Sequence, residues 1–254
     1  MSETPNYDYI VVGAGSAGAA VAARLAENPS NRVLLLEAGP ADNPWTRLPV
    51  GYAKLVNNPA ANWLYTSEPE PATKGRRLPV PRGKILGGSS AIYGLAFVRG
   101  EARDFDTWAQ LGNSVCSYED VLPDFKGMES YHGRGEVGFR GQHGPLQITT
   151  PTPSDLLYRT IIEAAGEVGI PHNPDYNGAS QEGIAMSQAS IYRRRRMSTA
   201  QCYLEPIRHR SNLIIETNAL THRVLLDGKR CIGVAYTIHG KPYEAHAGRE
   251  VIIS

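Results

Sequence analysis

The stretch that decides the fold runs from residue 7 to residue 39 and is YDYIVVGAGSAGAAVAARLAENPSNRVLLLEAG. Its apolar, β-branched segment Tyr9–Val12 is typical of a buried strand. A helix rich in small residues is predicted from Ala17 to about Glu27, and a second apolar strand, Val33–Leu36, precedes the carboxylate of Glu37. The order strand, helix, strand predicts a βαβ unit of a Rossmann-like α/β fold.

The turn between the first strand and the helix carries the pattern G-x-G-x-x-G, formed by Gly13, Gly15 and Gly18. The first glycine permits a tight turn, the second lets the backbone approach a pyrophosphate, and the third lets the helix pack closely on the strand. Glu37, 19 positions after the third glycine, is placed to accept a hydrogen bond from a ribose 2'-hydroxyl, which disfavours a 2'-phosphorylated cofactor. The pattern predicts dinucleotide binding without choosing between NAD and FAD, and an ordinary structural βαβ unit is the alternative.

Composition and charge narrow the class of protein. The 254 residues, 41% of them hydrophobic, are sufficient for a sizeable core. The 26 Lys and Arg residues nearly balance the 25 Asp and Glu residues, so net charge favours neither nucleic acid nor a membrane surface as partner. The basic run Arg193–Arg196 is short and typical of a solvated loop, with the border of a substrate entrance as an alternative. We therefore expect small-molecule chemistry.

Neither an export signal nor a membrane span is predicted. The stretch Ile10–Ala23 is interrupted by Gly and Ser, and the residues before it include Glu3 and Asp8 but no Lys or Arg. The three cysteines and seven histidines lack the spacing of a disulfide framework or a metal site. We expect no metal and a reducing, cytoplasmic location.

A long segment, Pro40–Pro81, follows the βαβ unit and is rich in Pro, Asn and Trp. Its lack of sustained periodicity predicts an excursion over a surface or over a cofactor. Its aromatic residues Trp45, Trp63 and Tyr65 are interpreted as packing anchors of this loop rather than as ligand contacts.

The next stretch, residues 81–100, is PRGKILGGSSAIYGLAFVRG and contains five glycines, at 83, 87, 88, 94 and 100. A glycine costs about 1 kcal/mol relative to alanine inside a helix, so a packing helix would not favour so many. The pattern predicts backbone that lies against a flat or charged ligand.

Together with the nucleotide fingerprint, this stretch closely resembles the signature of the glucose-methanol-choline (GMC) oxidoreductases. The resemblance continues along the whole chain, through DFDTW at 104–108, YEDVLP at 118–123, HGPL at 143–146, NPDYNG at 173–178, STA at 198–200 and REVIIS at 249–254. It implies an FAD-dependent enzyme that oxidises primary or secondary alcohols, and thus FAD rather than NAD. It implies a small-molecule alcohol as substrate and leaves the electron acceptor open.

The resemblance also implies which residues hold FAD. Gly13–Gly18 would hold the pyrophosphate, Glu37 the adenosine ribose, and Val224 would offer a backbone contact to adenine. Ile92 falls where a few relatives carry a histidine that is covalently attached to the flavin, so non-covalent FAD is expected. The full expected set is Gly13, Ala14, Gly15, Ser16, Ala17, Gly18, Glu37, Ala38, Arg82, Ile85, Gly88, Ser89, Tyr93, Gly94, Leu95, Ala96 and Val224. Tyr93 departs from the family, which mostly has Asn there.

The rest of the chain is predicted to be scaffold. Apolar residues at helical spacing between 156 and 168 predict a core-facing helix with Ser154 as its cap and Gly169 at its stop. Later apolar runs predict strands, one group forming a small separate sheet and the last returning to the main sheet, with segments Leu213–Glu216, Arg223–Leu226, Cys231–Thr237, Tyr243–His246 and Val251–Ile253.

The predicted fold is thus a Rossmann-like FAD-binding βαβ domain with the start of a second, substrate-side α+β region. Within an N-terminal GMC region spanning 1–254, we predict a nucleotide-binding part at 1–40, flavin-covering loops and signature at 41–150, and a helix, small sheet and returning strand at 151–254.

No catalytic residue is assigned within this chain. The resemblance implies a histidine base, paired with a second His or Asn, and places both in a C-terminal half beyond the matched motifs. The sequence is therefore interpreted as the N-terminal part of a longer enzyme. Two alternatives stay open: a hydroxynitrile lyase on the same fold, and a non-catalytic FAD-binding module completed by a separate chain.

Overall fold

The computed structural model describes residues 6–152 and 155–254. Short helical turns apart, its helices and strands in chain order are β1 Asn6–Val12, α1 Ser16–Leu25, β2 Val33–Leu36, α2 Tyr52–Leu55, β3 Tyr65–Thr66, β4 Pro79–Val80, α3 Ala102–Gln110, α4 Tyr118–Met128, β5 Glu129–Tyr131, β6 Leu146–Ile148, α5 Leu156–Glu167, β7 Ile191–Tyr192, β8 Arg195–Arg196, β9 Leu213–Glu216, β10 Ala219–Asp227, β11 Arg230–Ile238 and β12 Lys241–Ile253. The βαβ unit predicted from the sequence is confirmed as β1, α1 and β2.

The chain forms two compact units. The first consists of Met1–Gly94 with Arg195–Ser254, and the second of Leu95–Arg194. The first is discontinuous because strands after residue 195 pair with the early βαβ unit. The three consecutive segments predicted from the sequence, with bounds at 40 and 150, stay a prediction.

The described part of the first unit contains a six-stranded sheet in the order β10-β11-β12-β1-β2-β9. Strands β12, β1, β2 and β9 are parallel neighbours, with Val12 opposite Leu36 on one side and opposite Ile253 on the other. The central strands β1 and β2 are buried on both faces: Val11 and Leu35 pack with α1 on one, while Ile10 and Leu34 pack with Val234 on the other. Burial on both faces explains why these strands are continuous apolar runs.

The prediction of a small separate sheet is wrong. The segments expected to be two strands, Tyr243–His246 and Val251–Ile253, belong to the single strand β12. Residues 241–246 pair antiparallel with β11, and residues 246–253 pair parallel with β1. Because one long strand changes partner midway, β10 and β11 extend the main sheet. The Asp227-Gly228 turn between β10 and β11 is confirmed, with φ of Gly228 at +58°.

The second unit is built around buried charges. Glu129, at the start of β5, accepts hydrogen bonds from Arg99 Nη2 at 2.7 Å and from Arg140 Nε at 2.8 Å. Arg140 Nη1 also donates to Asp175 Oδ1 at 2.6 Å, and all four side chains are at most 2% exposed. In this cluster, which we call the ion network, each carboxylate faces at least one guanidinium.

Helix α5 forms where it was predicted, but its exposure differs from the prediction. Leu156 and Val168 are 77% and 75% exposed, whereas Ala165 is buried, so the helix is not core-facing along the predicted stripe. The predicted cap, Ser154, lies outside the described residues, and Asp155 accepts a hydrogen bond from the Leu157 N–H at 2.8 Å. The predicted stop at Gly169 is confirmed by its positive φ of +83°. Among the described helices, none has the length and apolar character needed to cross a bilayer.

Candidate functional site

The glycines of the first turn divide into two kinds. Gly13 has φ of +92°, and a Cβ added at Gly18 would lie 1.9 Å from the Gly13 carbonyl oxygen, so neither position accepts a side chain. At Gly15, by contrast, the nearest atom to an added Cβ is Gly88 Cα at 4.0 Å. Gly13 and Gly18 therefore shape the turn, while Gly15 keeps its outer side open.

Glu37 follows β2 and is tied to the turn. Its Oε2 accepts a hydrogen bond from the Ala14 N–H at 3.0 Å, and its Oε1 accepts one from the Gly39 N–H at 2.9 Å. The residue is only 5% exposed. Burial raises the pKa of the Glu37 carboxyl above its ordinary value, although the two N–H donors oppose the shift. Each carboxylate oxygen keeps a second lone pair for a further donor.

A cavity of about 330 Å³ opens at this point. It lies where the parallel strands β1, β2 and β12 end, the usual ligand position in such sheets. Its lining residues are Val12, Gly13, Gly15, Leu36, Glu37, Ala38, Trp63, Gly83, Gly88, Ala219, Leu220, Thr221 and Ser254. None of these is a histidine, and no group of three or more metal-ligating side chains occurs among the described residues.

The glycine-rich signature packs against the turn. The Gly87 N–H donates to the Ala14 carbonyl at 2.8 Å, and a Cβ on Gly88 would lie 2.6 Å from Gly15 Cα. Gly83 is equally close to Gly88, since its Cβ would lie 2.1 Å from the Gly88 carbonyl carbon. These contacts explain why the signature contains glycine at 83 and 88, and they place its backbone at the cavity.

The expected site residues fall into four groups. Five of them line the cavity: Gly13, Gly15, Glu37, Ala38 and Gly88. Others of the first unit do not line it: Ala14, Gly18 and Ile85 are buried, whereas Ser16, Ala17, Arg82, Ser89, Tyr93 and Gly94 are half-buried or exposed. Leu95 and Ala96 belong to the second unit. Val224 lies on β10, three residues beyond the cavity-lining Thr221, and its backbone contact stays a prediction.

Some lining residues were not anticipated. Trp63 was interpreted as a packing anchor, but it lines the cavity, stacks on Tyr65 at 5.9 Å between ring centroids and lies 4.7 Å from Lys84 Nζ. Trp45 and Tyr65 are 41% and 52% exposed, so neither is a buried anchor. Residues 219–221 come from the start of β10, where the sequence carries no cofactor signal.

The basic run Arg193–Arg196 also differs from its interpretation. Arg193, Arg194 and Arg195 are exposed, as expected for a solvated loop. Arg196 has no exposed surface at all, so the prediction is wrong for this residue. Its Nη1 donates to the Tyr93 carbonyl at 2.7 Å and approaches the Ser90 carbonyl at 3.3 Å.

Known proteins resemble this chain over nearly its whole length. An oxygen-dependent choline dehydrogenase from Rhizobium etli is 43% identical over 248 residues, which cover 97% of this chain and 45% of that protein. The chain therefore spans about half the length of the curated relatives it matches.

Solved structures with the same fold include pyridoxine 4-oxidase from Mesorbium loti, with a TM-score of 0.92, 31% identity, and coverage of 98% of this chain and 49% of that one. Formate oxidase from Aspergillus oryzae RIB40 matches with a TM-score of 0.89 and 27% identity over 100% of this chain and 46% of that one. The formate oxidase structure is described in terms of FAD modification. FAD is thus the cofactor that the comparisons support. The family model described as GMC oxidoreductase matches residues 7–254, and the chain belongs to that family.

Proposed function

We propose that this chain holds FAD in the cavity beside Gly15 and forms the cofactor-binding part of an oxidoreductase that acts on the CH–OH group of an alcohol. One observation carries the proposal: the open side of Gly15, the carboxylate of Glu37 and the backbone of Gly88 all border the same cavity. Family membership and the names of the relatives support the reaction class.

The residues present suit a dinucleotide. Helix α1 begins at Ser16 directly after Gly15, and the first N–H groups of a helix lack intrahelical acceptors and favour an anion. No side chain at Gly15 or Gly88 stands between this helix end and the cavity. Gly13–Gly18 would thus hold the pyrophosphate, and Glu37 would accept a hydrogen bond from the adenosine ribose. A volume of about 330 Å³ is at the lower end for ligand pockets, which suits the adenosine and pyrophosphate part.

Ile92 supports non-covalent attachment. The residue is 3% exposed and packs in an apolar cluster with Leu55, Ala61 and Ile85. Isoleucine has no nucleophilic atom with which to form a bond to a flavin, so the cofactor should leave with the supernatant when the protein is precipitated by acid.

FAD, when bound, supplies a hydride acceptor, and the chain's own residues bind and orient it. Removing the alcohol proton requires a base, and the described cavity lining contains no histidine. From the family resemblance we expect that base in the part of the relatives that this chain does not match. We therefore expect the 254-residue chain alone to bind FAD without oxidising alcohols.

The relatives suggest which alcohols to test first. Their names refer to choline and pyridoxine, which both carry a primary alcohol, and to formate, which does not. We therefore propose a class of substrates, molecules with a CH–OH group, and no individual alcohol.

The test is a chimera in which this chain replaces the matching half of the Rhizobium etli choline dehydrogenase. After FAD loading, alcohols are added without oxygen and the visible absorbance of the flavin is followed. We expect bleaching by at least one primary alcohol in the chimera and none in the 254-residue chain. A chimera that binds FAD but is bleached by no alcohol would contradict the proposed reaction, and bleaching in the chain alone would place the base within it.

A further inference from the structure

Arg196 is a buried cation without a carboxylate partner among the described residues. Its Nε and Nη2 atoms are buried and have no hydrogen-bond acceptor in the described part of the chain. Burial lowers the pKa of its guanidinium from the ordinary value, but an arginine remains charged in proteins. An isolated buried charge is strongly unfavourable, so such a residue calls for a compensating interaction.

The side-chain hydrogen bonds of Arg196 go to the glycine-rich signature, whereas its backbone N–H donates to the Arg47 carbonyl at 3.0 Å. Nη1 donates to the carbonyl oxygen of Tyr93 at 2.7 Å and to that of Ser90 at 3.3 Å. The guanidinium also faces the Tyr93 ring, with its central carbon 5.6 Å from the ring centroid. Arg196 therefore fixes the backbone of the signature just after Gly88, which lines the cavity.

Thr199, three residues after Arg196, contacts both the signature and the turn at Gly13–Gly18. Thr199 Oγ1 lies 3.0 Å from Ser90 Oγ and 3.3 Å from the Gly15 carbonyl oxygen. The Thr199 N–H donates to Ser90 Oγ at 3.0 Å. The segment 196–199 thus connects the two glycine-rich loops, with Thr199 at the Gly15 end and Arg196 at the Tyr93 end.

We propose that Arg196 is a positioning residue for the flavin end of FAD, which it serves by fixing residues 90–93 and by placing a buried positive charge behind them. This inference rests on the proposed function, in which Gly15 borders the pyrophosphate, and on the family resemblance, which implies that Tyr93 and the residues up to Ala96 run beneath the phosphates and the flavin ring. A flavin carries partial negative charge on its ring oxygens, which a nearby cation stabilises. That interaction compensates the otherwise unpaired guanidinium.

The proposal predicts different effects on the affinities of FAD and ADP, which share the adenosine and pyrophosphate groups. FAD contains the flavin end, whereas ADP does not. Loss of a charged hydrogen-bonding group typically weakens binding by about tenfold or more. Arg196→Met should therefore weaken FAD at least about tenfold and leave ADP within about twofold. Thr199→Val, which acts at Gly15, should weaken both ligands by a similar factor.

The experiment measures the dissociation constants of FAD and ADP for the purified chain, Arg196→Met, Arg196→Lys and Thr199→Val, with Arg195→Met as control because Arg195 is exposed. Arg196→Lys keeps the charge and should recover part of the FAD affinity. Equal loss of FAD and ADP in Arg196→Met, or loss of neither, would overturn the inference.

Two further outcomes are distinguishable. If Arg196→Met does not fold, the affinities of Arg196→Lys test the inference. Weaker binding of FAD alone supports it, and equally weaker binding of FAD and ADP overturns it. If the unaltered chain binds neither FAD nor ADP, the proposed function fails and the inference fails with it.

Discussion

The two units differ in whether their buried charged side chains form ion pairs. In the second unit, Glu129 and Asp175 neutralise Arg99 and Arg140 within the ion network. In the first unit, Glu37 is held by backbone N–H groups and Arg196 by backbone carbonyls, and neither has an ion-pair partner within the described residues. The opposite charges of an ion pair largely cancel, whereas an unpaired buried charge leaves a net electrostatic field around it.

This difference suggests different roles for the two sets of charged residues, one in stability and the other in cofactor binding. The ion network has no unmatched charge to offer a ligand, so we assign it to the stability of the second unit. Glu37 borders the cavity and Arg196 holds the backbone of the signature at Tyr93, and we propose that their unpaired charges act on a bound cofactor. We therefore expect substitutions in the ion network to change stability and substitutions at Glu37 or Arg196 to change cofactor affinity.

The largest expected effect is on the ion network. Glu129→Gln leaves Arg99 and Arg140 with one carboxylate between them, and breaking a buried ion pair typically costs about 3–5 kcal/mol. Denaturant unfolding of the purified chain should show a loss of that size in the free energy of unfolding. The matched control is Glu68→Gln, which breaks the exposed pair with Arg77 and should cost under about 1 kcal/mol. Equal losses in the two variants would contradict the role of the ion network.

A smaller effect, on affinity, is expected at Glu37. Glu37→Ala removes a charged acceptor at the cavity and should weaken FAD binding by about 1–3 kcal/mol. Glu216 ends the neighbouring strand β9 but does not line the cavity, so Glu216→Ala is the control and should leave FAD affinity unchanged. Titration that shows the same FAD affinity for Glu37→Ala and the unaltered chain would remove Glu37 from the site.

The smallest expected effect is the pH dependence of stability at Glu37. Burial raises the pKa of its carboxyl in the folded chain above the ordinary value of 4.5, so folding favours the protonated form. The stabilising contribution of Glu37 is therefore present below pH 4.5 and is lost as pH rises through the folded pKa. The free energy of unfolding of the chain minus that of Glu37→Gln should fall as pH rises across this window. A difference that rises with pH would contradict the raised pKa.

The parts predicted from the sequence are those fixed by local spacing. The turn at Gly13–Gly18 and the carboxylate of Glu37 follow directly from the lengths of β1, α1 and β2, which neighbouring residues determine. The glycines at 83 and 88 were predicted to bring backbone to a ligand, and their contacts with the turn explain why no larger residue fits.

The parts that were missed depend on distant residues. Nothing near Arg196 distinguishes it from the three exposed arginines before it, because its burial arises from contacts with Ser90 and Tyr93, about a hundred positions away in the sequence. The continuity of β12 depends on its exchange of β11 for β1 as partner. The outward face of α5 likewise could not be inferred, since periodicity identifies an apolar stripe and not what covers it.

We propose that the pyrophosphate of FAD lies at the open side of Gly15. An added Cβ at Gly15 meets nothing closer than 4.0 Å, so Gly15→Val should fold with an unchanged unfolding midpoint while its branched side chain occupies the cavity. Gly166→Val, at a glycine of α5 with nothing within 4 Å of an added Cβ, is the matched control.

The decisive measurement is the flavin content of these purified proteins after incubation with FAD. We expect stoichiometric FAD in the unaltered chain and in Gly166→Val, and none in a folded Gly15→Val. Normal flavin content in folded Gly15→Val would show that the pyrophosphate of FAD does not lie at Gly15.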